Sequence, residues 1–213
     1  MPKAVRVPAA FEPLFNLAEG FVEGLFAKLV RRPEQGTLHV GEDRYVLMRA
    51  ESFYLAWSEA LEASFGKEAT RDLLYNTARE IGRADCKAFC DRLKVKDGVA
   101  RLAAGPIHFA HAGWAFVDIL DDSAPAPDAS YFLHYKHPNT FESEVLQAKQ
   151  KRPDAPACLF SAGYSAGWCS DAFGLEVHAR EVRCQACGDG ACEFVMAPLA
   201  SLDAHTARLK PQT

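Results

Sequence analysis

No stretch of the 213 residues approaches the roughly 18 consecutive apolar positions that cross a bilayer. The opening MPKAVRVPAAFEPLF also lacks the apolar block, roughly seven residues or longer, of a secretory signal. A cytoplasmic location is expected, with no membrane partner. Positive charge is scarce as well: 24 Lys and Arg stand against 28 Asp and Glu, a net charge of −4. Without a basic field the chain has little with which to grip phosphates, so direct nucleic-acid binding is not expected. Also missing are a P-loop, H-E-x-x-H, G-x-G-x-x-G, a helix-turn-helix signature, and the H-x-E with P-C-x-x-C of zinc deaminases. Readings as a nucleotide-binding, metalloprotease or deaminase enzyme lose their anchors, and the chain is expected not to be an enzyme.

What is present is a chain 49% hydrophobic and 11% aromatic, enough to bury a sizeable core. Leu14, Leu17, Phe21, Leu25 and Leu29 recur every three or four residues and predict a helix across residues 11–32 with one apolar stripe. Thr37–Val40 and Arg44–Met48, separated by Gly41-Glu42-Asp43, read as a hairpin. Two long helices follow over Glu51–Phe65 and Lys67–Leu93, divided by Gly66 as a C-cap. After Gly105-Pro106 the chain turns aromatic through Ile107–Trp114, and Ala115–Leu120 reads as a strand. Asp121–Asp128 is a loop, and Tyr131–His137 alternates as a strand does until Pro138. Thr140-Phe-Glu-Ser143 opens a helix to about Lys151. A helix over Pro156–Phe173, a strand over Glu176–Arg183, a Cys/Gly-rich turn and a strand over Cys192–Met196 close the folded part. From Pro198 the chain is expected to be a linker. The fold class is α+β, mixed helices with antiparallel sheet.

Seven cysteines, without an export signal, point to reduced thiols or metal ligands rather than disulfides. Glu181-Val-Arg-Cys184-Gln-Ala-Cys187-Gly-Asp-Gly-Ala-Cys192 crowds thiols and a carboxylate around a glycine-rich turn, which suits tetrahedral Zn²⁺. Cys158 is the natural distant ligand. Spacing alone leaves five candidates for four places: Cys158, Glu181, Cys184, Cys187 and Cys192. A closed four-ligand site would be structural, since catalytic zinc keeps a position open to water. Cys86, Cys90 and Cys169 read as small buried hydrophobes.

Cys158-Leu-Phe-Ser-Ala-Gly163-Tyr164-Ser-Ala-Gly167-Trp168, followed by Glu181-x-x-Cys184-x-x-x-Gly188-Asp189-x-x-Cys192-x-Phe194, resembles the 4-vinyl reductase domain. Upstream, Gly105-Pro106 and Thr140-Phe-Glu are similar to the N-terminal sensor of XylR/DmpR/MopR-type, sigma-54-dependent transcription activators. That resemblance implies structural zinc on Cys158, Glu181, Cys184 and Cys192, with Cys187 left to pack. It also implies a homodimer built on an N-terminal segment, residues 1–50, and an aromatic-sensing domain over 51–197 whose zinc unit spans about 140–197. Residues 198–213 would begin the linker to an ATPase domain, with DNA-binding domain and RNA polymerase as partners of the longer protein. A small aromatic effector would relieve repression of that ATPase.

The resemblance places the effector pocket at Leu102, Phe109, Ile119, Tyr135, His137, Ala162, Trp168 and Ala179, with His108, His111 and Trp114 as further candidates on the aromatic stretch. Phenol-responsive members carry a histidine and a tryptophan where this chain has Phe109 and His137. Alanines at 162 and 179 would open volume, which favours a biphenyl-like effector over phenol or an alkylbenzene. The alternative function is a stand-alone 4-vinyl-reductase-type zinc protein of tetrapyrrole or small-molecule metabolism.

Overall fold

The computed structural model describes residues 2–209 and divides them into two sheets and seven α-helices among the described residues. Strand β1 (Val5–Arg6) leads into helix α1 (Glu12–Phe26), then β2 (Leu29–Arg32), β3 (Thr37–Val40) and β4 (Asp43–Tyr45) form an antiparallel meander. Helices α2 (Ala50–Phe65), α3 (Lys67–Arg92) and α4 (Gly98–His111) follow. Next come β5 (Val117–Ile119), β6 (Leu133–His137) and α5 (Phe141–Ala148). The chain continues with α6 (Leu159–Phe173), β7 (His178–Arg183), β8 (Cys192–Ala197) and α7 (Leu199–Leu209). The main sheet has the order β1-β5-β6-β8-β7, with β1 parallel to β5 and every other pair antiparallel. The class is α+β, as the sequence implies.

Local chemistry explains several boundaries. Gly66 ends α2 at φ +79°, a left-handed conformation glycine adopts without penalty, and α3 starts at the next residue. Thr140 and Ser143 form a reciprocal capping box at the start of α5. Asp97 caps α4 by accepting from the amide of Ala100 at 2.8 Å.

Three expectations need correction. The first helix stops at Phe26, because Leu29–Arg32 pairs with Thr37–Val40 and satisfies its backbone hydrogen bonds in a ladder instead. Gly105-Pro106 lies inside helix α4, where the lost amide donor of Pro106 is outweighed by packing between α1 and α6. The expected linker after Pro198 is helical from Leu199 to Leu209, and it lays Leu202 and Thr206 against β7 and β8; its last four positions, 210–213, lie outside the described residues.

The tightest junction is α3 against α6. A Cβ at Gly82 would stand 2.1 Å from the carbonyl oxygen of Tyr164, one at Gly163 would stand 2.2 Å from that of Tyr75, and one at Gly167 would stand 1.9 Å from that of Arg79. The backbones therefore touch, and no rotamer change can make room. Gly167→Ala is expected to cost about 3 kcal/mol or more, or roughly 6–12 °C in melting temperature, read by thermal denaturation. An unchanged melting temperature would show that the two helices do not cross this closely.

Candidate functional site

The turn between β7 and β8 brings four buried side chains to one point. Cys158 sits just before α6, Glu181 is on β7, Cys184 follows β7, and Cys192 opens β8. Their ligand atoms all lie within 4.8 Å of one another, and the sulfurs of Cys158 and Cys192 are 3.4 Å apart. Gly188, at φ +108°, lets the chain fold back, and the Asp189 carboxylate accepts from the Cys184 amide at 2.8 Å. A register shift between Glu181 and Arg183 re-aims the end of β7.

Polar groups orient these ligands from behind. The amide of Cys158 donates to one Glu181 oxygen at 2.8 Å, while the other oxygen, Oε1, is buried with no partner. The amide of Gln185 approaches Cys192 Sγ at 3.4 Å, and Thr140 Oγ1 lies 3.1 Å from Cys158 Sγ. Burial pushes the Glu181 carboxyl up to about 8 and the Cys158 thiol well above its ordinary range. Four such groups lose their protons together only when a cation balances them, and three thiols with one carboxylate make a donor set suited to zinc. The orphaned Oε1 of Glu181 is the atom such an ion would satisfy. Cys187 stays outside this cluster, with its thiol 3.5 Å from the Pro153 carbonyl.

A second feature is a cavity of about 30 Å³ enclosed by α4, α6 and the sheet. Leu102, Gly105, Pro106 and Phe109 face it from α4, and Val117, Ile119, Leu133 and Tyr135 face it from β5 and β6. The far wall is Tyr164, Ser165, Trp168 and Cys169 of α6, with Met196 of β8. The wall is almost wholly apolar, but the Tyr135 hydroxyl is buried without a hydrogen-bond partner. His137 stands one layer behind, its ring 5.3 Å from that of Tyr135 and 5.6 Å from that of Phe109. Its Nδ1 lies 2.9 Å from the carbonyl oxygen of Phe116, which can only accept, so Nδ1 carries the proton. Nε2 is left as a buried acceptor with no partner. Burial pushes this imidazole down to about 4, so it is neutral near pH 7.

Of the residues expected around a pocket, the structure brings Leu102, Phe109, Ile119, Tyr135 and Trp168 to the cavity and His137 beside it. Ala162 and Ala179 are elsewhere. They line a separate cleft with Arg71, Tyr75 and Glu181, and the Tyr75 hydroxyl accepts from the Ala179 amide at 3.0 Å. Tyr75 thus occupies the space the alanines were expected to open. His108 is buried on the other side of Trp168, between the hydroxyls of Tyr45 (3.3 Å) and Tyr164 (3.2 Å). His111 is exposed and stacks on Phe26, while Trp114 borders two open surface clefts.

Tyr164, Ser165, Val117, Leu133 and Met196 were missed by the reading of the sequence. Alternation along β5 and β6 was the available signal, since Val117, Ile119, Leu133 and Tyr135 share one face. Gly163-Tyr-Ser165-Ala-Gly167 also fits the spacing of a hydrolase nucleophile elbow. That motif needs its serine on a strand-to-helix turn, whereas Ser165 is in the middle of α6 and both glycines serve the crossing with α3.

Residues 24–122 match the family model described as activator of aromatic catabolism, and residues 138–198 match the model of the 4-vinyl reductase domain. The second match holds the whole four-residue cluster. Among curated proteins none matches this sequence. The fold is similar to the crystal structure of the phenol-responsive sensory domain of the transcription activator PoxR with phenol. The TM-score is 0.75 at 22% identity, covering 97% of this chain and 100% of that one.

Proposed function

The chain belongs to the XylR-type activators of aromatic catabolism as their ligand-sensing regulatory domain, and from this premise we propose that its effector is a single-ring aromatic bearing a hydroxyl group. The observation that carries this reading is the enclosed apolar cavity with an unpartnered Tyr135 hydroxyl on its wall and the free acceptor of His137 behind it. Apolar rings replace the water the ring leaves, and the two polar atoms hold its hydroxyl. The phenol that accompanies the similar PoxR domain is a ligand of this chemistry. A biphenyl-like effector loses its support, because the alanines that favoured it lie off the cavity.

Accommodating a ring requires movement. A cavity that accepts benzene measures roughly 150 Å³, against about 30 Å³ here. Binding must therefore part α4 from α6 or the sheet and favour the opened conformation, which is how a ligand shifts a two-state equilibrium. Through the helix that follows β8, this opening would release a downstream ATPase and let the activator engage sigma-54 RNA polymerase. No chemical step is involved. Zinc on Cys158, Glu181, Cys184 and Cys192 would hold the β7–β8 turn to α6 as a structural brace. The test is calorimetry with phenol, toluene and biphenyl; tightest binding of biphenyl would overturn the proposal.

The same reading includes a cytoplasmic homodimer. Helix α1 buries Phe15, Ala18 and Val22, leaving Leu17 and Phe21 60% and 52% exposed. Val46 and Leu47, after the three-stranded sheet, are 77% and 81% exposed. An apolar surface of this kind is what a second subunit would cover. Leu17→Glu combined with Phe21→Glu is expected to convert a dimer to a folded monomer, measured by light scattering with circular dichroism. Wild-type protein that is monomeric at micromolar concentration would end the dimer reading.

A further inference from the structure

Cys86 and Cys90 lie one turn apart on α3, both fully buried, with their sulfurs 4.0 Å from each other. Arg101 of α4 reaches between the helices, its guanidinium 3.7 Å from Cys86 Sγ and paired with Asp171 of α6. Arg101 Nε is buried with no partner. The geometry points to a second metal site, in which Cys86 and Cys90 hold a soft monovalent cation such as Cu(I) as a bis-thiolate beside Arg101.

Helix neighbours four apart hold their Cβ atoms about 5–6 Å apart, whereas a disulfide needs about 3.5–4.5 Å, so the intact helix resists oxidation of the pair. An ion between the sulfurs asks for less: two metal–thiolate bonds of roughly 2.3 Å bridge 4.0 Å with a bend of about 120°. Zinc is disfavoured because it needs four ligands, and among the described residues the Cys158 cluster is the single group of three or more donors. Soft thiolates select Cu(I).

Binding releases one proton from each thiol and adds one positive charge, leaving the bis-thiolate with one net negative charge. The Arg101 guanidinium is already in place to balance it. The Cys90 thiol is held below its ordinary range by the hydrogen bond from Cys86 and by Arg101, which eases the first deprotonation. Cys90 is within one turn of the end of α3 at Arg92, and helix ends open more readily than their middles, which gives the ion a way in.

The test uses the reduced, zinc-loaded protein without oxygen, with Cu(I) supplied as its acetonitrile complex. Elemental analysis is expected to find one added copper per chain with zinc retained. Absorption at the copper edge is expected to show two sulfur neighbours. Cys86→Ala and Cys90→Ala should each weaken copper binding at least hundredfold, and Cys187→Ala should leave it unchanged. Copper that displaces zinc, or that binds equally well to either alanine variant, overturns the site. So does a Cys86–Cys90 disulfide formed by a thiol oxidant in the folded protein, seen as the loss of two hydrogens by mass. If the alanine variants fail to fold, the wild-type copper edge decides: nitrogen or oxygen neighbours in place of two sulfurs refute it.

Discussion

Removing zinc, or replacing any one of Cys158, Glu181, Cys184 and Cys192, is expected to unfold the C-terminal half and leave the protein insoluble. Structural zinc contributes about 10–16 kcal/mol in small zinc domains, against a net stability of about 5–15 kcal/mol for a whole domain. The cluster joins the start of α6 to both strands of the β7–β8 hairpin, and it lies at the edge of the sheet that walls the cavity. Losing it would release the hairpin and α6 together. Elemental analysis should find one zinc per chain, and the ligand variants should lose it along with their circular dichroism signal. Cys187→Ser should keep both, because its thiol points to the Pro153 carbonyl and not to the cluster. Folded protein without zinc would refute the proposal. Retention of metal by Glu181→Gln, with loss in Cys187→Ser, would exchange the fourth ligand.

The features legible in the sequence are those fixed by local chemistry. Gly66 terminates α2 because glycine takes φ +79° at little cost, and Thr140 with Ser143 announces α5 by its capping box. The cysteine cluster is legible because its spacing and its glycine are conditions for bending a short turn onto one point. Features decided by distant packing were not legible. A proline inside α4 argues against a helix on local grounds, and only α1 and α6 on either side make it acceptable. Helix α7 offers a weak pattern because just Leu202 and Thr206 are buried. Ala162 and Ala179 were misplaced for a related reason. Eleven of the 15 residues of α6 are buried, so apolarity marks no face, and which side meets the cavity depends on where α3 crosses. Tyr75, which fills the space beside those alanines, is 104 residues from Ala179 and belongs to no common motif.

Tyr135→Phe and His137→Ala are each expected to weaken phenol binding while leaving toluene binding nearly unchanged. Both atoms are buried and unpartnered in the protein, so a ligand hydroxyl that reaches them exchanges two unmet polar groups for two hydrogen bonds. Removing one leaves the ligand group less satisfied at about 1–3 kcal/mol, or roughly 5- to 150-fold in affinity. The two variants separate donor from acceptor. His137 offers only an acceptor, because its Nδ1 proton goes to the Phe116 carbonyl, so it should also discriminate phenol from its methyl ether. The imidazole is held neutral by a pKa of about 4, so this interaction should be flat across roughly pH 6 to 8. Ala162→Tyr and Ala179→Tyr serve as the contrast. They crowd the cleft against Tyr75 and should leave phenol affinity within about twofold, provided the fold tolerates them. Calorimetry on the four variants reads all of this at once. Phenol affinity that ignores Tyr135 and His137 but falls with either alanine change would move the effector to that cleft, with Arg71 and Tyr75 as its polar anchors.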